Sequence, residues 1–518
     1  MKRRTVLHAS IGAVAALTLA ACGGGNGNGG GGSGPATLTI GMSSAPNSLD
    51  PAQIATGPFV NYLDPAYASL LTRNADGALA PGLADTWGYV GSGNTTFKLH
   101  LRGGAKFADG TPLTAAEVVA SLTYFQKGSG PAASYYRPLT FSTPDGSTVV
   151  IKSPTPNPDM GALFTPAFLG GAVISPAGLK APKKLASATF GAGPYVYSAA
   201  ESVSGDHYVY VPNKNFYDQS AIHFKKITVR VIPNINSEVQ ALKSGQIDFM
   251  YGSADVAPAV AGNSSIATIK KPTTWAGLFL LDRDGTVVKG LADERVRQAL
   301  NYAVDRTAIT KAVYGAYGTP VSQPAMPGYD GYSSKAAKMY DHDPAKARKL
   351  LAEAGYARGL TIPVNYGSFD PSTTKLVQAV QDQLDKVGVR LKLSAATNFG
   401  GWINDLLSKK FAATVLSPGQ GGDENFYAQQ AGFTKTGIMN VFGVDDPDVD
   451  AAFTELAASD KQSAGPAAQA LTDVITRKAL ALPVSGADTI VMYKAKLKGV
   501  TFVPGSGFVT SNTLWTSR

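Results

Sequence analysis

The chain has 518 residues and one cysteine, so intramolecular disulfides are excluded. A large hydrophobic core must therefore stabilise the fold, and a chain of this length is expected to form two or three lobes. Its formal net charge is +9, but the 46 basic side chains are spread out without a long run, which argues against nucleic acid as a partner.

The first 21 residues have the layout of a secretory signal. Lys2, Arg3 and Arg4 precede an apolar stretch that is too short to span a bilayer comfortably. It ends in small residues followed by Cys22, an arrangement that resembles the bacterial lipobox, in which the cysteine is acylated. We predict a lipoprotein signal peptide over 1–21 and lipidation of Cys22. The alternative is an ordinary cleaved signal followed by an incidental cysteine.

Residues 22–34 are predicted to form a tether. After Cys22 they contain only Gly, Asn and Ser, which cannot bury apolar surface. Twelve such residues reach roughly 20 Å from end to end. The segment would therefore hold a folded body away from a membrane.

Strands and helices then alternate, as in an α/β protein. Alternating polar and apolar residues, or runs of β-branched and aromatic residues, predict strands. The predicted strands are 37–40, 96–102, 208–211, 227–232 and 389–393.

Helices are predicted from caps and from apolar faces. Thr114 and Glu117 form a capping-box pattern, and Asp343 precedes a proline at a helix start. The predicted helices begin at Ala115 and Ser237, run over 293–309 and 375–387, and run from Pro344 to Gly355.

Patterns typical of catalysis or metal binding are missing from the sequence. His100, His207, His223 and His342 lie far apart and without nearby cysteines or acidic clusters at ligand spacing. No phosphate-binding loop appears, and no serine has the Gly-x-Ser-x-Gly setting of a strand-to-helix turn. We predict that the protein is not an enzyme and needs no metal or other cofactor.

Short motifs along nearly the whole mature chain resemble one family. The longest match runs from Tyr67 to Phe125, and others are Leu49-Asp50-Pro51, 191–195, 296–306 and 346–355. In this order they resemble the extracellular solute-binding proteins of peptide and nickel importers, family 5. The resemblance implies a two-lobed α/β fold of the periplasmic-binding-protein type (cluster C), which closes on its ligand by a hinge motion. By analogy, the first lobe takes 35–72, 189–275 and 485–518, its extra subdomain takes 73–188, and the second lobe takes 276–484.

The charged anchors of dipeptide-binding relatives are not found at the corresponding positions. Those relatives hold the free amine with an Asp, where this chain has Gly421, and the carboxylate with an Arg, where it has Tyr366. A buried charge without a partner is costly. We therefore predict a less zwitterionic ligand, such as a longer or modified peptide, or an opine-like or sugar-containing solute.

The predicted ligand contacts combine aromatic walls with a few polar groups, as binding clefts do. They are Asn47, Trp275, Tyr366, Trp402, Gln420, Asp423, Asn425 and Phe426. The glycines within 419–422 would let a ligand approach the backbone closely. For either tryptophan, an ordinary position in the core is the alternative.

The resemblance implies partners and a location. The partners are a small peptide-like solute, the permease and ATPase subunits of an ABC importer, and the membrane through the N-terminal lipid. We expect a monomer in the periplasm or on the outer face of the cell membrane. The alternatives are a surface receptor that binds such solutes for signalling and, with less support from the motifs, an exported hydrolase.

The tether hypothesis is tested by Cys22→Ser. The variant should appear in the soluble fraction or unprocessed, while its solute affinity stays unchanged, because the substitution removes the thiol that we predict to be acylated and none of the predicted ligand contacts. Cell fractionation and calorimetry of the purified variant measure the two properties. A loss of affinity would contradict the tether.

Overall fold

The structure is a computed structural model that describes residues 37–419, 422–460, 462–503 and 506–516. The strands are β1 (Thr37–Met42), β2 (Leu71–Arg73), β3 (Leu79–Pro81), β4 (Ala84–Tyr89), β5 (Thr96–Leu101), β6 (Thr140–Ser142), β7 (Thr148–Lys152), β8 (Tyr195–Tyr197), β9 (His207–Pro212), β10 (Lys226–Val231), β11 (Phe249–Gly252), β12 (Ile266–Leu280), β13 (Gly318–Pro320), β14 (Leu360–Gly367), β15 (Val389–Ala396), β16 (Ala413–Leu416), β17 (Ala481–Lys494), β18 (Leu497–Lys498) and β19 (Trp515–Thr516). The α-helices are α1 (Ala115–Gln126), α2 (Pro176–Lys180), α3 (Ile235–Ser244), α4 (Glu294–Ala303), α5 (Arg306–Tyr314), α6 (Pro344–Glu353), α7 (Pro371–Asp385), α8 (Phe399–Leu407), α9 (Gly422–Phe433), α10 (Pro447–Ala458) and α11 (Ala464–Arg477).

One large mixed sheet runs through the body in the order β15-β14-β16-β12-β17-β11-β1-β10-β9-β8, and β13 pairs with β17. At one end, β1 pairs in parallel with β10, and at the other, β14 pairs in parallel with β15. We call the part built around β1 and β8–β11 the first lobe and the part built around β14–β16 the second lobe. The predicted α/β class is confirmed, whereas the residue limits predicted for each lobe stay predictions.

The long antiparallel strands β12 and β17 join the two lobes. Their pairing runs from Ile266 opposite Lys494 to Phe279 opposite Ala481, with register shifts between Pro272 and Thr274 and between Ala276 and Gly277. Gly277 permits the close approach at the second shift, because a Cβ there would lie 2.1 Å from the carbonyl oxygen of Leu482.

A second, antiparallel sheet of order β4-β5-β7-β6 belongs to the first lobe. Phe97, Leu99 and Leu101 alternate inward along β5, as the sequence pattern predicts, and Phe97 is buried against Phe164 with ring centroids 6.5 Å apart. Helix α1 packs against this sheet through its buried face.

Two predicted helix features are wrong in detail. Residues 293–309 form two helices, because Asp305 caps α5 by accepting a hydrogen bond from the Ala308 amide at 2.9 Å. Thr114 is the N-cap of α1, but its hydroxyl donates to the Glu117 carboxylate and no backbone amide is capped by it. The predicted Asp343 cap of α6 is confirmed, with the Lys346 amide 2.9 Å from Oδ1.

The signal peptide, Cys22 and the tether lie outside the described residues. Within the described ranges, no helix combines the length and apolarity needed to cross a bilayer. In that same part of the chain, no three His, Cys, Asp or Glu side chains gather as a metal-binding group.

Arg306 offers a test of how the second lobe is held together. Its guanidinium donates to the Pro483 carbonyl at 2.9 Å, the Asn301 carbonyl at 3.0 Å and the Asn301 Oδ1 at 2.8 Å, and burial lowers its pKa to about 10. Arg306→Leu should lower the free energy of unfolding by about 2–4 kcal/mol, because buried acceptors lose their donors. Arg295→Leu, which removes an exposed ion pair with Asp293, should lower the free energy of unfolding much less, because solvent screens the pair. Equal losses in chemical denaturation would contradict this account.

Candidate functional site

A cavity of about 690 Å³ lies between the two lobes. Its floor is formed by Thr273 and Thr274 of β12 and by Asp488 and Thr489 of β17. The register shift between Pro272 and Thr274 frees the Thr273 hydroxyl to hydrogen-bond the Thr489 hydroxyl at 2.6 Å. The connecting strands therefore provide both the link between lobes and the base of the site.

The wall from the second lobe comes from the segment that follows β16. Leu416–Gly419 leaves the carboxyl end of this strand, and Gly419 bridges back to Thr274 of β12. Helix α9 then places Tyr427, Ala428, Ala431 and Gly432 along the cavity. Sites at the carboxyl ends of strands are usual in open α/β sheets, because the loops there are free to diverge.

The wall from the first lobe is largely apolar and aromatic. It consists of 56–58, 131–132, Tyr135, Ala167, Phe168, Tyr251 and Phe508. The prolines in these loops give them restricted backbones, since the pyrrolidine ring holds φ near its preferred value. This face of the cavity therefore suits apolar or aromatic parts of a ligand.

An aromatic cluster joins the two walls. Tyr427 of the second lobe packs against Tyr135 and Phe168 of the first lobe, with centroid distances of 4.9 Å and 5.0 Å. Tyr135 and Phe168 meet edge to face at 5.6 Å. Such pairs add about 0.5–1.5 kcal/mol each beyond the area they bury.

The same Tyr427 also makes polar contacts across the cleft. Its hydroxyl is 3.2 Å from both Asn157 Oδ1 and the Asp159 carbonyl oxygen. Burial raises the pKa of Tyr427 well above its ordinary value, so the hydroxyl stays protonated and donates. Burial also raises the pKa of Asp159 to about 6, an effect that Arg73 opposes and Asp330 reinforces.

Two further contacts join the lobes away from Tyr427. The Asn94 amide donates to the Ser459 carbonyl at 2.9 Å, and Lys375 pairs with Asp255 at 2.9 Å. The lobes are thus in contact around the cavity, as in the closed form of a protein that encloses its ligand by a hinge motion.

Asp488 is the one residue with a charged side chain among the described residues that line this cavity. Its side chain is 6% exposed, and Oδ2 lies 3.0 Å from Lys270 Nζ. The described lining contains no Arg, Lys or His.

Four of the residues predicted to contact ligand are buried in the cores. Trp275 is 1% exposed and stacks on Phe279 at 5.6 Å, which places it one layer behind the cavity wall. Trp402 packs with Leu281 and Leu406 and donates from Nε1 to the Thr414 hydroxyl at 3.1 Å.

Tyr366 and Phe426 are also buried. Tyr366 belongs to the core of the second lobe, and Phe426 stacks on Phe453 at 5.0 Å. Asn47 is exposed and closes its own turn, donating to the Gln53 carbonyl at 2.9 Å. None of these five is among the described residues that line the cavity, and their contact with ligand stays a prediction.

The remaining predicted contacts stand at the start of α9. Gln420 lies outside the described residues, and Asp423 and Asn425 fall in the first turn of α9, where only the backbone is described. Tyr427, the neighbour of Phe426, was not predicted, because the start and phase of α9 could not be read from a glycine-rich segment. Tyr135, Phe168 and Asp488 were not predicted either, because they lie far apart in sequence and meet only when the lobes pack.

The chain matches a family model described as bacterial extracellular solute-binding proteins, family 5 Middle, over residues 78–440. It is 28% identical over 378 residues to the probable D,D-dipeptide-binding periplasmic protein DdpA of Escherichia coli (strain K12), covering 70% of each chain. It is 29% identical over 364 residues to the glutathione-binding protein GsiB of Pectobacterium atrosepticum, covering 69% of this chain and 68% of that one.

Solved structures share the fold. The periplasmic binding protein AgaA of A. tumefaciens R10, in complex with agropinic acid, matches with a TM-score of 0.79 at 24% identity and covers 93% of this chain and 99% of its own. DppA of Helicobacter pylori, in complex with the peptide STSA, matches with a TM-score of 0.77 at 18% identity and covers 93% and 98%. These matches confirm the predicted two-lobed periplasmic-binding-protein fold.

Tyr427→Phe tests the contact between the lobes. The substitution removes one hydroxyl that hydrogen-bonds the first lobe. It should therefore shift the free energy difference between the closed and open forms by about 0.5–1.5 kcal/mol toward the open form, which lowers the ratio of closed to open molecules about 2–10-fold. Small-angle scattering should report a larger radius of gyration at an unchanged melting temperature.

Tyr302→Phe is the matched control. Its hydroxyl donates to the Met339 carbonyl at 3.3 Å within the second lobe. An equal expansion of both variants would show that the Tyr427 hydroxyl does not act on the hinge.

Proposed function

The chain belongs to the bacterial extracellular solute-binding proteins of family 5, as its motifs predict, and on that premise we propose that it captures a peptide or peptide-like solute between its lobes and delivers it to the permease of an ABC importer. An ATPase partner would supply the energy. Relatives at 28–29% identity carry names that refer to D,D-dipeptides and to glutathione, which supports a peptide-like ligand.

The observation that carries the proposal is the cavity between lobes that touch each other. Its volume of about 690 Å³ is within the range of about 300–1,000 Å³ that small-molecule sites occupy. The lobes meet through Tyr427, Asn94 and Lys375, so closure would surround a bound solute. Release would then require the hinge to open, which is the step that a permease has to trigger.

The lining supports a ligand that is not a simple dipeptide. Aromatic residues of both lobes line the cavity, and backbone groups of Leu416–Gly419 are proposed to provide polar contacts. Gln420, Asp423 and Asn425 are proposed to add side-chain contacts from the start of α9. A ligand longer than a dipeptide, or a modified one, fits the size of the cavity.

The location and the lipid anchor belong to the same proposal. Relatives are named as periplasmic proteins, so a body outside the cytoplasm is expected. Cys22 would then anchor the protein to a membrane through its lipid, and the glycine-rich tether would let the closed form reach the permease. We further propose that the protein acts as a monomer, with the lobe limits given by the sequence.

A ligand screen tests the function. Purified protein is stripped of bound solute and examined by native mass spectrometry and thermal shift against glutathione, D-Ala-D-Ala, the peptide Ser-Thr-Ser-Ala, the carboxyl-terminal amide of that peptide, and agropinic acid. A complex of one-to-one stoichiometry and a rise in melting temperature of several degrees are expected with one class, because a ligand that binds the folded state stabilises it. If no member of the panel binds, the proposal that the protein captures a peptide-like solute is contradicted.

Ala428→Trp links such binding to the cavity. Ala428 is half-buried on α9 and lines the cavity, so an indole there should fill the space and weaken binding at least about tenfold. Ala352→Trp, at an exposed position of α6, is the matched control and should bind normally. Isothermal titration calorimetry compares the two variants. Normal binding by the Ala428 variant would place the solute elsewhere.

A further inference from the structure

The cavity between the lobes has a one-sided distribution of charge. Asp488 provides a carboxylate in the floor, and the described lining contains no Arg, Lys or His. A peptide carboxylate enclosed in such a cavity would find no cationic side chain among the described lining residues, and burying an unpaired charge is costly.

The segment that follows the described wall adds acids and no bases. From Ser417 to Thr434 the sequence contains Asp423 and Glu424 but no Lys, Arg or His. The sequence of this segment therefore supplies no cationic residue that could pair with a carboxylate.

Lys270 and Arg283 lie near the cavity, and each has partners within the protein. Lys270 is about half exposed; its Nζ lies 3.0 Å from Asp488 Oδ2 and also donates to the Ala316 carbonyl at 2.8 Å. Arg283 lies behind the wall and is 6% exposed, and its guanidinium donates to the Leu280 carbonyl at 2.9 Å. Neither lines the cavity.

Asp488 keeps one oxygen available. Oδ2 faces Lys270, whereas Oδ1 has no hydrogen-bond partner among the described residues. The carboxylate is held in a strand of the sheet floor, so its position is set by β17 and not by a loop. A fixed and largely desolvated carboxylate attracts a cation more strongly than an exposed one does.

We propose that Asp488 selects a solute that carries a positive group and no free carboxylate, such as a peptide blocked at its carboxyl end. This inference rests on the proposed function and narrows it to a class of ligand. The positive group would take the place opposite Oδ1, and the aromatic rings of Tyr135, Phe168 and Tyr427 would cover the apolar part of the solute.

Four forms of one dipeptide separate the charges. Phenylalanyl-alanine is used as the zwitterion, as its cationic amide, as the anionic N-acetyl peptide and as the neutral N-acetyl amide. The cationic amide should bind at least about tenfold more tightly than the zwitterion in calorimetric titrations, because only the zwitterion brings an unpaired carboxylate into the cavity. The anionic form should bind most weakly.

Variants assign the preference to Asp488. Asp488→Asn keeps the size of the side chain and should reduce the affinity for the cationic amide at least about tenfold, while the neutral form changes less than about twofold. Lys270→Gln should raise the affinity for the cationic amide, because it removes the competing ammonium group. Asp206→Asn, which removes an exposed acid of the first lobe, should change neither affinity.

The outcomes separate this inference from the function on which it rests. Equal or tighter binding of the zwitterion or of the anionic form overturns the charge selection and leaves solute capture intact. A cationic preference that survives Asp488→Asn overturns the role of this residue. Two results together contradict the proposed function itself. They are that none of the four forms binds and that the cavity variant Ala428→Trp behaves like the unmodified protein in the wider screen.

Discussion

The antiparallel pairing of β12 with β17 is the constraint on which the rest of the structure depends. These strands run through the middle of the large sheet, and strands of the first lobe and of the second lobe add to either side of the pair. A continuous ladder of backbone hydrogen bonds is stiff along the strands, so it keeps the lobes in register. The register shifts near Thr274 and Gly277 locally disrupt that ladder close to the cavity, where a hinge would need to bend.

The same strand pair gives the cavity its floor and its charged group. Asp488 stands in β17, one of the two strands that join the lobes, whereas Tyr427 lies on α9 of the second lobe. The charged group of the floor therefore belongs to the connection between the lobes and not to either wall. The aromatic rings and the Tyr427 hydroxyl complete the enclosure only when the lobes meet. This division of roles suits a protein that must first capture a solute and later release it.

Local patterns in the sequence predicted part of the framework. Alternation along β5 and the Asp343 cap of α6 are properties of short segments, and the structure has them where the sequence indicates. The prediction of a single helix over 293–309 was wrong because the Asp305 side chain accepts a hydrogen bond from a backbone amide and starts a second helix. Hydrophobic periodicity does not distinguish one helix from two in this segment. Aromatic residues such as Trp275 and Trp402 could not be assigned to a cleft or a core from their type, since both environments favour large rings.

The sequence by itself determined the family, the α/β class and the positions of several strands and helices, because motifs, caps and hydrophobic periodicity act over a few residues. Tertiary structure decided which side chains meet in the cavity. Tyr135, Phe168, Tyr427 and Asp488 are separated by tens to hundreds of positions and come together only through the crossing of β12 and β17 and the closure of the lobes. Contacts of this kind depend on the packing of whole elements against each other, and no local pattern of residues encodes them.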